Sequence, residues 1–235
     1  MTKKLYWEDS YLKEFEAAVV ATNGDLVELD QTCFYPTGGG EPNDTGKLIA
    51  NDQEFQVSDA SKDGEKILHK VDKEGLKIGD KVKGMIAWER RYHLMRMHTA
   101  AHLLSALINK ETGALITGGN LDLDKSRIDF NLENFDREKF TVYVQKANEL
   151  IEQGAPVKSY FMKREEAMKI PGIIKLLEVL PPDAENLRIV EIEGIDIQAD
   201  GGNHVRNLNE LSGIEIVKLE NKGKTNRRMY FTLKI

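Results

Sequence analysis

The hydrophobic period changes once along this chain, at Glu89, and that change limits what it can fold into. Before it, short apolar runs are separated by turn pairs. FEAAVVATNGDLVELD, residues 15–30, holds two such runs around Asn23-Gly24, the strongest short hairpin signal. LIANDQEFQV turns at Asn51-Asp52, Asp63-Gly64 precedes KILHKV, and Gly79-Asp80 precedes KVKGMIAW. Strands this short at this spacing predict a small β-barrel over residues 1–87.

From Glu89 the pattern is helical. ERRYHLMRMHTAAHLLSALINKETG has no internal Gly or Pro and stops at Gly113. Leu94, Met97, Ala101, Leu104 and Ile108 recur at three- and four-residue steps, as on one helix face. A second helix is expected at 137–153, stopped by Gly154 and Pro156, and a short one at 163–169, ended by Pro171. RIDFNL, PVKSYFM, LRIVEI, GIDIQA, IEIVKLE and RMYFTLKI read as strands. The fold class is therefore α+β: a barrel over 1–87, then helices against a largely antiparallel sheet over 88–235. PPDAEN, 181–186, is the expected insertion.

Composition narrows the function classes. No run approaches the roughly 18 apolar residues of a membrane span. The first sixteen residues lack the apolar core of a secretory signal. One cysteine, Cys33, allows no internal disulfide, which fits a reducing, cytoplasmic compartment. Lys and Arg total 33 against 39 Asp and Glu, a net charge of −6, so any nucleic-acid contact must be a local basic patch.

His98 and His102 lie four apart on the long helix, which sets both imidazoles on one face, a turn apart. Ala101 and Ser105 on that face leave room for a small ligand. Such a pair also arises by chance on ordinary helices. A third histidine, His204, follows Gly201-Gly202 in IDIQADGGNHVRN, where Asp200 sits four residues before it. Glycines permit a sharp turn there, although a plain turn with a solvated carboxylate has the same sequence. Three His and an Asp can fill a tetrahedral zinc site. No Glu follows His98 as a metalloprotease would require.

HTAAH at 98–102 and DGGNH at 200–204 resemble the HxxxH and CxxxH motifs of the alanyl-tRNA synthetase editing domain and its free-standing relatives, the AlaX proteins. TCFYPTGGGEPNDTG, 32–46, resembles the family's TxFYPxGGGQxxDxG, and RIDFN, 127–131, its RFDF-like strand. The matches run in family order over residues 30–235, and a barrel before the editing domain resembles the medium AlaX type. Asp200 stands where the family has Cys, Asn203 where it has Thr, and Glu41 where it has Gln.

The resemblance implies a hydrolase that removes serine, and glycine, from mischarged alanine tRNA at a Zn²⁺ held by His98, His102, His204 and Asp200. Such an activity meets a physical need, because an alanine pocket rejects serine or glycine only weakly. Thr99, one residue after the first ligand, and Asn120 are candidates for pairing with the serine hydroxyl, and the resemblance implies that the Gly38, Gly39 and Gly40 loop lies near the editing site and helps receive the acceptor end or serine. Thr99 could equally bond back to a preceding carbonyl, and the three glycines could form a simple hairpin turn. Lys222, Lys224, Arg227 and Arg228 in KGKTNRR, with Arg90 and Arg91, are candidate phosphate contacts; Lys163, Arg164 and Lys169 add charge. Two rivals stay open: same-fold editing of another aminoacyl-tRNA, such as serine on threonine tRNA, and a non-enzymatic RNA-binding protein whose metal site went with the Cys.

Overall fold

Residues 1–133, 136–173 and 184–234 are described by the computed structural model of the chain. They divide into two units, Met1–Leu94 and Met95–Ile235. In the first, β1 (Lys3–Lys4) and α1 (Leu5–Glu8) precede β2 (Glu14–Asn23), β3 (Leu26–Leu29), β4 (Gln31–Thr32), β5 (Gly46–Ala50), β6 (Gln53–Asp63), β7 (Lys66–Val71) and β8 (Lys81–Ile86). Six of these strands close an antiparallel barrel in the order β2-β3-β7-β6-β5-β8, so those six leave no open sheet edge.

Local chemistry explains the hairpins. Ala50 pairs with Gln53 across Asn51 and Asp52, whose φ values are 49° and 60°. Two positive-φ residues make the turn whose twist suits a hairpin, and Asn and Asp tolerate that region. The first hairpin turns one residue later than Asn-Gly: Asn23 pairs with Leu26, and Gly24-Asp25 makes the turn with Gly24 at φ +60°. Inside, Val27, Leu29, Leu48, Ile67 and Val82 form the core with Phe15 and Phe34. A Cβ on Gly84 would lie 2.2 Å from the Phe15 ring, so β8 needs a glycine where that ring crosses it.

The helix α2 (Trp88–Thr112) carries the chain into the second unit. From Met95 to Ile108 most of its residues are buried, and Ala101 is only half-buried. The unit adds β9 (Ile116–Asn120), β10 (Ser126–Phe130), α3 (Arg137–Gln153), β11 (Val157–Lys163), α4 (Arg164–Ala167), β12 (Asn186–Ile192), β13 (Asp196–Ala199), β14 (Ile214–Asn221) and β15 (Arg227–Leu233). Two antiparallel sheets result, β14-β15-β10-β9 and β11-β12-β13. The expectation of an α+β fold with a barrel is met. The helix α3 starts where Asp136 accepts hydrogen bonds from the backbone of Glu138 and Lys139, and it buries Phe140, Tyr143, Val144, Ala147 and Ile151 along one stripe. The strand β9 is not evident from the residue pattern. Of the expected insertion, residues 181–183 lie outside the described residues, and Asn186 already belongs to β12.

Candidate metal centre

The face of β12 and β13 that carries Arg188, Val190 and Gln198 looks toward α2, as Gln198 meets His102. One residue past β13, the Asp200 amide still bonds to Arg188 O at 3.0 Å, so the ladder delivers Asp200 to the helix histidines. The chain then turns. Gly202 N donates to Asp200 Oδ1 at 2.9 Å, and Arg188 Nη1 donates to the carbonyls of Asp200 (3.0 Å) and Gly202 (2.8 Å). Its Nη2 donates to Ser159 Oγ at 3.1 Å. A buried guanidinium therefore shapes the loop from inside.

His98, His102, Asp200 and His204 converge, with ligand atoms all within 4.8 Å of one another. Asp200 Oδ1 lies 3.1 Å from His204 Nε2 and 3.7 Å from His98 Nε2. Tetrahedral bonds of about 2.0–2.2 Å would set ligand atoms about 3.4 Å apart, so the donors bracket the spacing zinc requires. The three rings pack with centroids 4.3–4.9 Å apart. The residues present fit a metal ion.

Other residues fix the rings. His204 Nδ1 lies 3.1 Å from Thr99 Oγ1, and His102 Nδ1 lies 2.5 Å from Gln198 Nε2, with Asp196 Oδ2 3.0 Å further along. The Thr99 hydroxyl accepts from His204 Nδ1 and so leaves Nε2 for the shared centre, as outer partners of ligating histidines do. Gln198 Nε2 can only donate, and it fixes the His102 ring through Nδ1. Burial, then the neighbouring His98, lowers the His204 pKa to about 3, so the ring stays neutral and able to bind metal. Burial alone would raise Asp200. His98, the close contact with His204, and His102 outweigh it and hold the carboxyl well below its usual range.

The structure corrects several expectations. Thr99 is fully buried, and its hydroxyl donates to Met95 O at 2.9 Å while accepting from His204 Nδ1 and Val205 N. One donor and two acceptor sites are then spent inside the protein, on the His204 ring and neighbouring backbone, and none is left for a substrate hydroxyl. Asn120 is exposed at the end of β9. Arg91 is fully buried in the first unit, where Asp44 accepts from its Nε at 3.0 Å and Cys33 O and Ser10 O accept from its other nitrogens. It cannot meet a phosphate. Arg227 is buried too, donating to Asn221 Oδ1 and to the carbonyls of Gly223, Lys224 and Asn226, so it ties its own hairpin together. Arg228 clamps Asp129 at 2.7 and 2.8 Å, and Arg90 donates to Asn43 O. Lys222, beside Glu220, and Lys224 are exposed.

In the first unit, Gly38 and Glu41 exchange two backbone hydrogen bonds across Gly39 and Gly40, whose φ values are 61° and 83°. The glycines form a tight turn because both central positions need positive φ. Sequence reasoning missed Arg188, Gln198 and Asp196. The one signal was charge and amide side chains inside otherwise apolar strand runs.

Residues 8–90 match the family described as class II (A) tRNA synthetases, and residues 187–230 match the threonyl and alanyl tRNA synthetase second additional domain. The chain is 52% identical to the alanyl-tRNA editing protein AlaX-M of Methanosarcina barkeri over 99% of both chains. It is 48% identical to that of Saccharolobus solfataricus over the full length of both. An alanine–tRNA ligase of Ignicoccus hospitalis is 36% identical over 92% of this chain and 24% of its own length. Full-length likeness to free-standing editing proteins, with the editing motifs meeting in one centre, places this chain in the AlaX-M family of alanyl-tRNA editing proteins.

Proposed function

We propose that this aminoacyl-tRNA deacylase removes serine, and glycine, from mischarged alanine tRNA in the cytoplasm, with Zn²⁺ as its metal. The observation that carries the reading is the convergence of His98, His102, His204 and Asp200 in a chain of this family. The substrate is an ester between the amino acid and the terminal ribose. Water adds to its carbonyl carbon, the bond to the ribose oxygen breaks, and that oxygen takes up a proton. When bound, zinc supplies Lewis acidity to a carbonyl oxygen or to water.

The chain's own groups prepare this step. Thr99 holds the His204 imidazole with Nε2 toward Asp200, Gln198 fixes the His102 ring, and Arg188 curls the loop that brings Asp200 and His204 there. His98, His102, His204 and Asp200 would hold the ion. Asn120 is the remaining candidate for reading the serine hydroxyl, the Gly38–Gly40 turn for receiving the acceptor end, and Lys222 and Lys224 for phosphate contact.

Deacylation of Ser-, Gly- and Ala-charged alanine tRNA, beside Ser-charged threonine tRNA, tests the reading with metal content measured in parallel. Release of serine from alanine tRNA with the alanine-charged form spared is expected. Preference for threonine tRNA would favour the rival substrate. Metal-free protein that binds tRNA without releasing serine would leave only an RNA-binding role.

A further inference from the structure

The metal cluster is open on one side. The side chains of His98, His102 and His204 are 1–9% exposed, whereas Asp200 is 21% exposed. Solvent, and therefore substrate, reaches the cluster past Asp200. Three residues line up across the sheet at that level: Phe161 is the register partner of Arg188, and Arg188 bonds through its backbone to Asp200. Adjacent strands lie about 4.8 Å apart, so Phe161 stands two strand spacings, roughly 10 Å, from Asp200.

Phe161 shares the face of the centre. Register partners project to the same side of a sheet, and the Arg188 side chain reaches Ser159 on that side. Tyr160 and Met162 point the other way, into a cluster with Ala167, Leu187 and Ile189. On the centre's side Val190 is fully buried, but Phe161 is 54% exposed. Two residues on, Lys163 is exposed on the same face and forms no ion pair among the described residues.

An exposed aromatic ring and a cation at the mouth of a hydrolytic centre match the end of a tRNA. The scissile ester and the terminal adenine hang from one ribose, and the preceding phosphate follows. We propose that Phe161 is the stacking platform for the 3′-terminal adenine, with Lys163 meeting the adjoining phosphate. Bases stack on aromatic side chains in this way in single-strand recognition generally. The proposal rests on the editing reading above and adds how the ester is presented.

The test uses alanine tRNA carrying 2-aminopurine as its last base, a fluorophore quenched by stacking, and needs no turnover. Wild-type protein should quench it, Phe161→Trp should preserve quenching, and Phe161→Leu should abolish it. In parallel, Phe161→Leu should raise KM for Ser-tRNA by about tenfold to a hundredfold with metal content unchanged. It should leave hydrolysis of serine methyl ester, which has no base, as in wild type. Equal quenching and equal KM in Phe161→Leu would overturn the proposal. An equal drop in activity on the methyl ester would overturn it too, by making Phe161 a structural residue. Quenching by a wild type that never releases serine would instead overturn the editing reading and leave the stacking site standing.

Discussion

Both units bury histidine, and the two environments differ in where the ring nitrogens go. In the barrel, His69 is fully buried with Nε2 2.8 Å from Thr32 Oγ1 and Nδ1 3.0 Å from Val27 O. Both nitrogens have protein partners, so the ring is finished. In the second unit, His204 commits Nδ1 to Thr99 and turns Nε2 to Asp200, 3.1 Å away. Burial does not distinguish a structural histidine from a ligating one. The nitrogen that is left over does.

Removing ligands should have the largest effect and tests that distinction directly. Purified protein should hold about one zinc per chain, and His98→Ala with His102→Ala should reduce this to near none and abolish serine release. His69→Asn should leave metal content unchanged. Elemental analysis decides it, and full zinc in the double variant would sink the assignment.

Next comes Arg188, whose buried guanidinium holds the carbonyls of Asp200 and Gly202. Arg188→Met keeps bulk but removes every donor. By analogy with other residues that orient metal ligands, zinc affinity should drop about 10- to 100-fold. Titration against a competing chelator measures it. An unchanged affinity would show that the two ligands find the centre without the clamp.

The barrel histidine makes a pH prediction. Burial lowers His69 to about 4, against about 6.5 in an unfolded chain. Between these values the unfolded state binds a proton that the folded state refuses, so stability rises with pH across the window. The contribution is complete above about 6.5 and falls by about 3 kcal/mol as pH drops to 4. His69→Asn should flatten the slope of unfolding free energy against pH in that range. The comparison is made in the His98→Ala, His102→Ala background, so that metal release does not contribute.

What was legible in the sequence was local. Asn51-Asp52 marks its turn because those residue types tolerate positive φ, and HTAAH places two rings together because a helix repeats every 3.6 residues. The hairpin at Gly24 fell one residue off because its turn needs positive φ at one position, which Gly24 fills, while Asn23 stays paired in the strand. ITGGN at β9 escaped because two glycines hide a strand paired through its backbone. Arg188 and Gln198 escaped for a different reason: their roles depend on which strands neighbour β12, and no short spacing encodes that. Clustered charge misled in the same way. Nothing in KGKTNRR says that Arg227 folds back onto the carbonyls of its own hairpin.

That last contrast yields the smallest expected effect. Lys222 and Lys224 are exposed, whereas Arg227 is buried among backbone carbonyls of the same hairpin. Removing one lysine–phosphate interaction should lower the slope of log affinity against log salt by about 0.7–0.9. Lys222→Ala with Lys224→Ala should therefore flatten the slope for alanine tRNA by up to about 2, with thermal stability unchanged, if both meet the backbone. Arg227→Ala should do the reverse, lowering the melting temperature by leaving those carbonyls without their donor while keeping the salt slope. Should the lysine variant keep the wild-type slope, this hairpin lies off the tRNA path, and the exposed edge at Lys163 would be the next surface to neutralise.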